Sequence, residues 1–214
     1  MLYLVVTGGI ATGKSTFCRL WLEMLPATVL HDADEAVHGL YADPAVRMEL
    51  RQIFGPEVLV GDAEVDRATI RSAIAEDPTR RAALEGILHP RVREQRAKLA
   101  REAEAAGAPC FLAEIPIFYE VGAQKPVTDA RVVVVACSPA TRMQRLRERN
   151  PFDNGEGGRM VALQADLPAK MAAADHVLWN EGRPSDLSRQ ALMLRDLLLA
   201  PSADPQKNPP IYGA

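Results

Sequence analysis

The fold is decided by residues 8–16, which read Gly8-Gly9-Ile10-Ala11-Thr12-Gly13-Lys14-Ser15-Thr16. This stretch fits the phosphate-binding pattern G-x-x-x-x-G-K-[ST] and directly follows an apolar run at 3–6. Such a pattern binds phosphate when it joins a β-strand to an α-helix, and the sequence predicts a strand before it and a helix after it. Backbone N–H groups of such a loop, with the N-terminus of the next helix, form a concave site for phosphate oxygens. We therefore predict a nucleotide-binding protein. A glycine-rich turn before an ordinary helix is the alternative.

Individual residues of this loop have separate expected roles. Gly8 and Gly13 have no Cβ atom, so the backbone can approach phosphate closely. The side chain of Lys14 can reach the β- and γ-phosphates, and the hydroxyl of Ser15 can bind Mg²⁺. The loop residues expected to bind nucleotide are Gly9, Ile10, Ala11, Thr12, Gly13, Lys14, Ser15 and Thr16.

Composition limits the possible partners. The chain has 214 residues, of which 48% are hydrophobic and 25% charged, and its net charge is −3. No overall positive charge is available for nucleic acid, so we expect no nucleic-acid partner. The first strand begins at once, and no apolar run could span a bilayer, so we expect a cytoplasmic protein without a membrane partner. Cys18, Cys110 and Cys137 are too scattered for a metal site and are expected to be buried.

Strand-like and helical patterns alternate along the chain. Apolar runs rich in β-branched residues occur at 3–6, 28–31, 110–114, 131–137 and 176–179. Helical patterns occur at 15–25, 35–54, 66–76, 79–105, 139–149, 158–173 and 184–199. This alternation predicts an α/β fold with a parallel five-stranded sheet flanked by helices. We divide one domain, 1–200, into a core (about 1–34, 108–150 and 174–200), a helical substrate-binding insertion (about 35–107) and a lid (about 150–173). Residues 201–214 form a proline-rich tail.

Acidic residues end two of the expected strands. Asp32 and Asp34 follow the second strand, and Glu114 ends the third. Ligands bind at the carboxyl ends of parallel strands, so these carboxylates can face the phosphates. A kinase needs one carboxylate to orient the acceptor hydroxyl and take its proton, and we favour Asp34. Asp32 is expected to bind Mg²⁺ or its water, or to cap the next helix. Glu114 is a candidate Mg²⁺ ligand or a plain strand-end carboxylate.

Basic residues cluster on two expected helices in the C-terminal half of the chain. Arg142, Arg145 and Arg149 share one helix face, and a glycine-rich stretch at 154–158 separates them from Arg159, Gln164 and Lys170. Two basic helices joined by a glycine hinge are typical of a lid that closes over a triphosphate. We expect Arg145 to lie nearest the γ-phosphate. A solvated basic face is the alternative.

A histidine interrupts the helical insertion. In Leu88-His89-Pro90 the residue before proline is disfavoured in the helical region, so we predict a kink at His89 and a new helix from Pro90. His89 would then project from a helix N-terminus. A ligand-binding role and a packing or capping role are equally open.

Taken together, these motifs resemble the dephospho-coenzyme A kinase family over nearly all of residues 2–200. The matching positions are Thr7 to Ser15, His31-Asp32-Ala33-Asp34, Val37-His38, Phe54-Gly55, Arg67, Leu88-His89-Pro90, Ile115-Pro116, Glu120, Ser138-Pro139, Arg145, Arg159, Gln164, Lys170, Ala174-Asp175 and Asn180-Glu181-Gly182. The chain departs from the family at Ala11, which replaces a usual glycine and requires an unstrained φ angle. The segment 150–158 is also longer and richer in glycine than usual.

The resemblance implies that ATP phosphorylates the ribose 3′-hydroxyl of dephospho-CoA, giving coenzyme A and ADP in the last step of coenzyme A biosynthesis. Implied cofactors are ATP and Mg²⁺, and the implied state is a monomer or weak homo-oligomer. The resemblance implies catalysis by Asp34, Lys14 and Arg145 and a position for Asn180 near the adenine. It further implies acceptor contacts from Thr7, Asp34, Arg67, His89 and Pro116, and metal contacts from Ser15, Asp32 and Glu114.

Other classes of nucleotide-binding protein remain as rivals. A nucleoside or shikimate-type kinase shares the loop and lid and differs in its acceptor pocket. A GTPase switch would carry D-x-x-G and N-K-x-D segments, and the sequence has neither. An ATP-driven binding module would hydrolyse ATP without phosphorylating an acceptor.

Overall fold

The computed structural model describes residues 1–61, 64–77, 79–120, 129–149, 161, 164 and 166–200. The described strands are β1 (Leu2–Gly8), β2 (Val29–Asp32), β3 (Leu59–Val60), β4 (Glu64–Val65), β5 (Cys110–Glu114), β6 (Arg131–Ala136) and β7 (His176–Trp179). The described α-helices are α1 (Lys14–Met24), α2 (Ala33–Leu40), α3 (Pro44–Phe54), α4 (Arg67–Glu76), α5 (Thr79–Ala105), α6 (Pro139–Arg149), α7 (Leu167–Ala173) and α8 (Pro184–Leu199). None of the described helices is long and apolar enough to cross a membrane.

The main sheet confirms the predicted five parallel strands. Their order is β2-β5-β1-β6-β7, and every neighbouring pair runs parallel. The register pairs Asp32 of β2 with Glu114 of β5, and Glu114 in turn with Val6 of β1. Because parallel strands end at the same edge, the two carboxylates and the loop after β1 meet there.

Helices cover both faces of this sheet, which is why its strands are mostly apolar. On one face α1 and α8 pack Phe17, Trp21 and Leu187 against the strands. On the other face the C-terminal part of α5 contributes Ala103 to a cluster that includes Phe111. The cysteines at 18, 110 and 137 are buried free thiols, as expected.

The helical insertion has its own core, formed where α2 to α5 meet. Val46, Leu50 and Phe54 of α3 pack against residues from α4 and α5. The single helix expected at 35–54 is two helices, because Asp43 caps the N-terminus of α3 and Pro44 takes its first position. The short antiparallel pair β3–β4 was not predicted. Each of its strands has only two residues, which is too short for a periodic pattern.

The predicted break at His89 is wrong, because α5 runs without interruption from Thr79 to Ala105 with Pro90 inside it. Proline removes one helical N–H group and disturbs the preceding turn. Here Arg91 Nη1 donates to the carbonyl oxygen of Ile87 at 2.8 Å, and Leu88 lies buried in the insertion core. Tertiary packing and this side-chain bond therefore stabilise a helix that the local sequence disfavours. His89 is half-buried within α5 rather than projecting from a helix start.

Candidate active site

The phosphate loop joins β1 to α1, and neighbouring groups leave no room for a side chain at two of its glycines. Gly13 has φ 101° and precedes α1, and a Cβ atom there would collide with the side-chain amide of Asn180. A Cβ atom on Gly8 would collide with the carbonyl oxygen of Val135 on β6. Ala11 has φ 59°, so the expected unstrained φ angle at this position is wrong. The loop needs a left-handed residue there, which costs an alanine about 1 kcal/mol.

Lys14 is a buried cation at the start of the loop's helix. Its Nζ donates to the carbonyl oxygen of Gly9 at 3.0 Å. Burial lowers the pKa of Lys14, while the charges of Glu114 and Asp34 favour its protonated form. A desolvated ammonium group beside the loop amides is suited to neutralise phosphate oxygens.

The two aspartates after β2 have different surroundings. Asp32 Oδ1 accepts hydrogen bonds from the backbone N–H of Asp34 at 2.8 Å and of Glu35 at 3.2 Å, so Asp32 caps α2. Asp34 reaches solvent in the cleft, yet nearby protein raises its pKa by desolvation. The charge of Asp32 raises that pKa further, whereas Lys14 lowers it. Asp34 is therefore a carboxylate outside the cap, electrostatically coupled to the phosphate-loop lysine.

Ser15 and Glu114 bring hydroxyl and carboxylate oxygens together below the loop. Ser15 Oγ donates to Glu114 Oε1 at 2.9 Å. Glu114 is buried, and burial raises its pKa. Oxygen donors suit Mg²⁺, which keeps few protein ligands and takes the rest from phosphates and water. The described residues contain no group of three or more His, Cys, Asp or Glu that could hold a metal by itself.

A cavity of about 400 Å³ opens beside the loop. Its walls are Ala11, Gly13, Lys14, Ser15, Thr16, Arg145, Glu148, Arg149, Asn180, Gly182, Pro184 and Leu187. Arg145 Nη2 donates to the carbonyl oxygen of Asn180 at 2.9 Å, and Nη1 to that of Thr12 at 3.4 Å. Asn180 Nδ2 also donates to the Thr12 carbonyl, at 2.8 Å. Arg145 and Asn180 thus brace the loop from the cavity side.

Two further side chains hold the first half of the loop. Arg142 is buried, and its Nε donates to the carbonyl oxygen of Ile10 at 3.2 Å. Gln164 Oε1 accepts from the Ile10 N–H at 2.8 Å and from Arg142 Nη2 at 3.4 Å. Sequence reasoning grouped Arg142 with the lid cations and missed this contact, because the partner lies more than a hundred residues away.

Thr7 and Pro116 meet at the end of β1. Thr7 Oγ1 donates to the carbonyl oxygen of Pro116 at 3.3 Å. Lys170 Nζ donates to the same carbonyl at 3.3 Å and pairs with Glu120 Oε1 at 2.5 Å. Lys170 is fully buried in this ion pair, so it anchors α7 beneath the site instead of forming an exposed basic face.

The remaining predicted residues lie away from the loop or outside the described chain. The Arg67 guanidinium at the start of α4 lies 5.4 Å from the ring centre of Tyr41. Burial lowers the pKa of His89 in α5. Both residues lie on helices of the insertion. Most of the lid prediction, including Arg159 in 150–160, and the tail 201–214 lie outside the described residues.

Comparison with known proteins identifies the family. The family model for dephospho-CoA kinase matches residues 2–186. The chain belongs to the dephospho-CoA kinase family. A dephospho-CoA kinase from Xanthomonas campestris is 36% identical over 191 residues, which cover 88% of this chain and 89% of that protein.

Two solved structures share the fold of this chain. A crystal structure of a Thermus thermophilus protein matches with a TM-score of 0.76 and 28% identity, covering 92% of this chain and 97% of its own. The dephospho-CoA kinase from Campylobacter jejuni shares the fold, with a TM-score of 0.67 and 20% identity over 91% of this chain and 96% of its own.

Proposed function

We propose that this chain transfers the γ-phosphoryl group of ATP to the ribose 3′-hydroxyl of dephospho-CoA, giving coenzyme A and ADP. The observation that carries the proposal is the carboxylate of Asp34. It interacts electrostatically with Lys14, and it is not needed as a helix cap because Asp32 caps α2. A kinase needs such a carboxylate beside the acceptor hydroxyl. A protein that only binds or hydrolyses ATP has no need of a carboxylate beside an acceptor hydroxyl. Membership of the dephospho-CoA kinase family supports the choice of acceptor.

The nucleotide half of the site consists of the phosphate loop and the cavity beside it. Loop N–H groups and Lys14 would hold the β- and γ-phosphates, and Arg145 and Asn180 would flank the nucleotide in the cavity. Charge in the transition state spreads over the γ-phosphoryl oxygens, so positioned cations and N–H donors stabilise it. Ser15 and Glu114, with Asp32 beside them in register, would hold Mg²⁺. The ion would supply further charge neutralisation of the phosphates.

The acceptor half lies between the sheet edge and the insertion. Asp34 would orient the 3′-hydroxyl and take its proton as the oxygen attacks the γ-phosphorus. Its raised pKa makes it a better proton acceptor than an aspartate with its ordinary pKa. Arg67 and His89 on the insertion helices, and Thr7 with Pro116 at the end of β1, are the proposed acceptor contacts. The lid over residues 150–173 remains part of this proposal.

The experiment measures initial rates with Mg·ATP and a panel of acceptors: dephospho-CoA, shikimate and adenosine. We expect dephospho-CoA alone to give a product heavier by one phosphoryl group. Lys14→Ala should abolish turnover and weaken ATP binding, because it removes the cation fixed by the loop itself. Faster phosphorylation of shikimate or adenosine, or equal ATP hydrolysis without any acceptor, would overturn the proposal.

We further propose that the protein acts in the cytoplasm on these two small substrates, as a monomer or weak homo-oligomer and without nucleic-acid or membrane partners. The net charge of −3 supports the absence of a nucleic-acid partner. Sedimentation analysis across a range of protein concentrations tests the oligomeric state.

A further inference from the structure

One carboxylate links the two walls of the nucleotide cavity. Glu181 lies in the turn between β7 and α8, and its side chain reaches the start of α6. Glu181 Oε2 accepts a hydrogen bond from the backbone N–H of Ser138 at 2.7 Å. Glu181 Oε1 accepts from Ser138 Oγ at 2.7 Å and from Thr141 Oγ1 at 2.6 Å. All three bonds join parts of the chain that are about forty residues apart in sequence.

The elements joined in this way are the two sides of the cavity. Arg145 lines it from α6, and Asn180 and Gly182, the residues flanking Glu181, line it from the turn. Arg145 donates a hydrogen bond to the Asn180 carbonyl, and both side chains donate to the Thr12 carbonyl. Glu181 therefore fixes the beginning of α6, and Arg145 fixes a point about two helical turns further along.

The charge of Glu181 makes its role testable. Its side chain is exposed, and the backbone N–H of Ser138, followed by the hydroxyls of Thr141 and Ser138, holds its pKa below the usual range. The carboxylate is therefore ionised at neutral pH. A carboxylate acting only through its charge would repel a triphosphate in the adjacent cavity. A carboxylate acting as a link between the walls would strengthen ATP binding instead.

We propose that Glu181 is a positioning residue for the ATP site: it holds α6 against the β7–α8 turn so that Arg145 and Asn180 are in place when ATP enters. This inference rests on the proposed ATP-dependent function. Loss of the link disorders the side of the site that contacts the nucleotide and leaves Lys14 and Asp34 unchanged. The dissociation constant for ATP then rises about tenfold, the effect of losing charge-assisted hydrogen bonds at a half-open site. The value of kcat at saturating ATP falls less than in Arg145→Ala, because Arg145 is displaced rather than removed.

The test is calorimetric titration of the full chain with ATP, together with kcat and KM measurements. Glu181→Ala should weaken ATP binding about tenfold, and Glu181→Gln should fall between it and wild type, because glutamine retains one acceptor oxygen. Thr141→Val removes one donor to Glu181. In the double variant with Glu181→Ala, Thr141→Val should cause almost no further loss of ATP affinity, because the contact between the two side chains is already lost.

The matched control is Asp43→Ala. Asp43 accepts a hydrogen bond from the Ala45 N–H at 2.8 Å and caps α3 in the insertion, away from the cavity. This variant loses a similar contact at a helix start, so it should lower stability and leave the ATP dissociation constant unchanged.

Three results would overturn the inference. Tighter ATP binding in both Glu181 variants would mean that the carboxylate acts through repulsion alone. Additive effects of Glu181→Ala and Thr141→Val would mean that Glu181 does not act through α6. If Glu181→Ala does not fold, Glu181→Gln and Thr141→Val alone decide, and unchanged affinity in both refutes the link. Failure of the wild-type chain to bind ATP would refute the proposed function instead.

Discussion

His31 is a buried imidazole on β2, directly before Asp32, and it should make stability depend on pH. Its side chain is 5% exposed, and neither ring nitrogen has a hydrogen-bond partner within the described part of the chain. Burial lowers the pKa of His31, and the guanidinium of Arg96 lowers it further, while Asp32 opposes both. The folded state therefore favours the neutral imidazole.

The magnitude follows from this placement. An unfolded histidine has a pKa of about 6.5, so stability is complete above that pH and is lost as the pH falls below it. If the histidine stays neutral in the folded state, the free energy of unfolding falls by as much as about 1.4 kcal/mol between pH 7.5 and pH 5.5. His31→Leu removes this loss. It also removes two unpartnered polar atoms, which should raise the free energy of unfolding by about 1–2 kcal/mol at pH 7.5.

Urea unfolding of the wild type and His31→Leu at pH 7.5 and pH 5.5 provides the assay. We expect the stability difference between the two proteins to grow by about 1.4 kcal/mol at the lower pH. His38→Leu, at an exposed position on α2, is the matched control and should follow the wild-type pH dependence. A constant difference between His31→Leu and wild type would refute the neutral, buried state of His31.

Three further predictions concern the loop and the reacting groups. Ala11→Gly should raise the free energy of unfolding by up to about 1 kcal/mol in urea melts, because Ala11 has φ 59°. Ala27→Gly, at φ 66° outside the site, should do the same, and destabilisation of both variants would contradict these backbone angles. Asp34→Asn should lower kcat by about 100-fold or more with ATP affinity retained, and Asp32→Asn, which keeps a capping oxygen, should cost less. The opposite ranking would make Asp32 the base. Arg145→Ala should lower kcat and raise KM for ATP but not for dephospho-CoA, and Arg145→Lys should not restore activity. A kcat within about twofold of wild type would contradict a role for Arg145 in phosphoryl transfer.

Features encoded by neighbouring residues could be predicted from the sequence. The phosphate loop, its strand and its helix are contiguous, and their order follows from the G-x-x-x-x-G-K-[ST] pattern. Continuous apolar runs alternating with helices predict a parallel sheet, and the five strands were placed correctly. From that sheet it follows that Asp32 and Glu114 meet at one edge, as the register confirms.

Features that depend on distant contacts could not be predicted. The continuity of α5 through Pro90 depends on packing in the insertion core and on the bond from Arg91 to Ile87. Nothing in the local sequence indicates that Glu181 accepts hydrogen bonds from Ser138. The left-handed angle at Ala11 was missed because alanine usually avoids it, although the glycine usual there in the family was a signal.

Phosphorus NMR of the reaction of purified protein with Mg·ATP and dephospho-CoA follows the transfer of the phosphoryl group to one hydroxyl of dephospho-CoA. We expect one new phosphomonoester signal, on the ribose 3′ oxygen, growing in equal amount with ADP. Release of inorganic phosphate in place of that signal, or a phosphate on another oxygen of the acceptor, would contradict it.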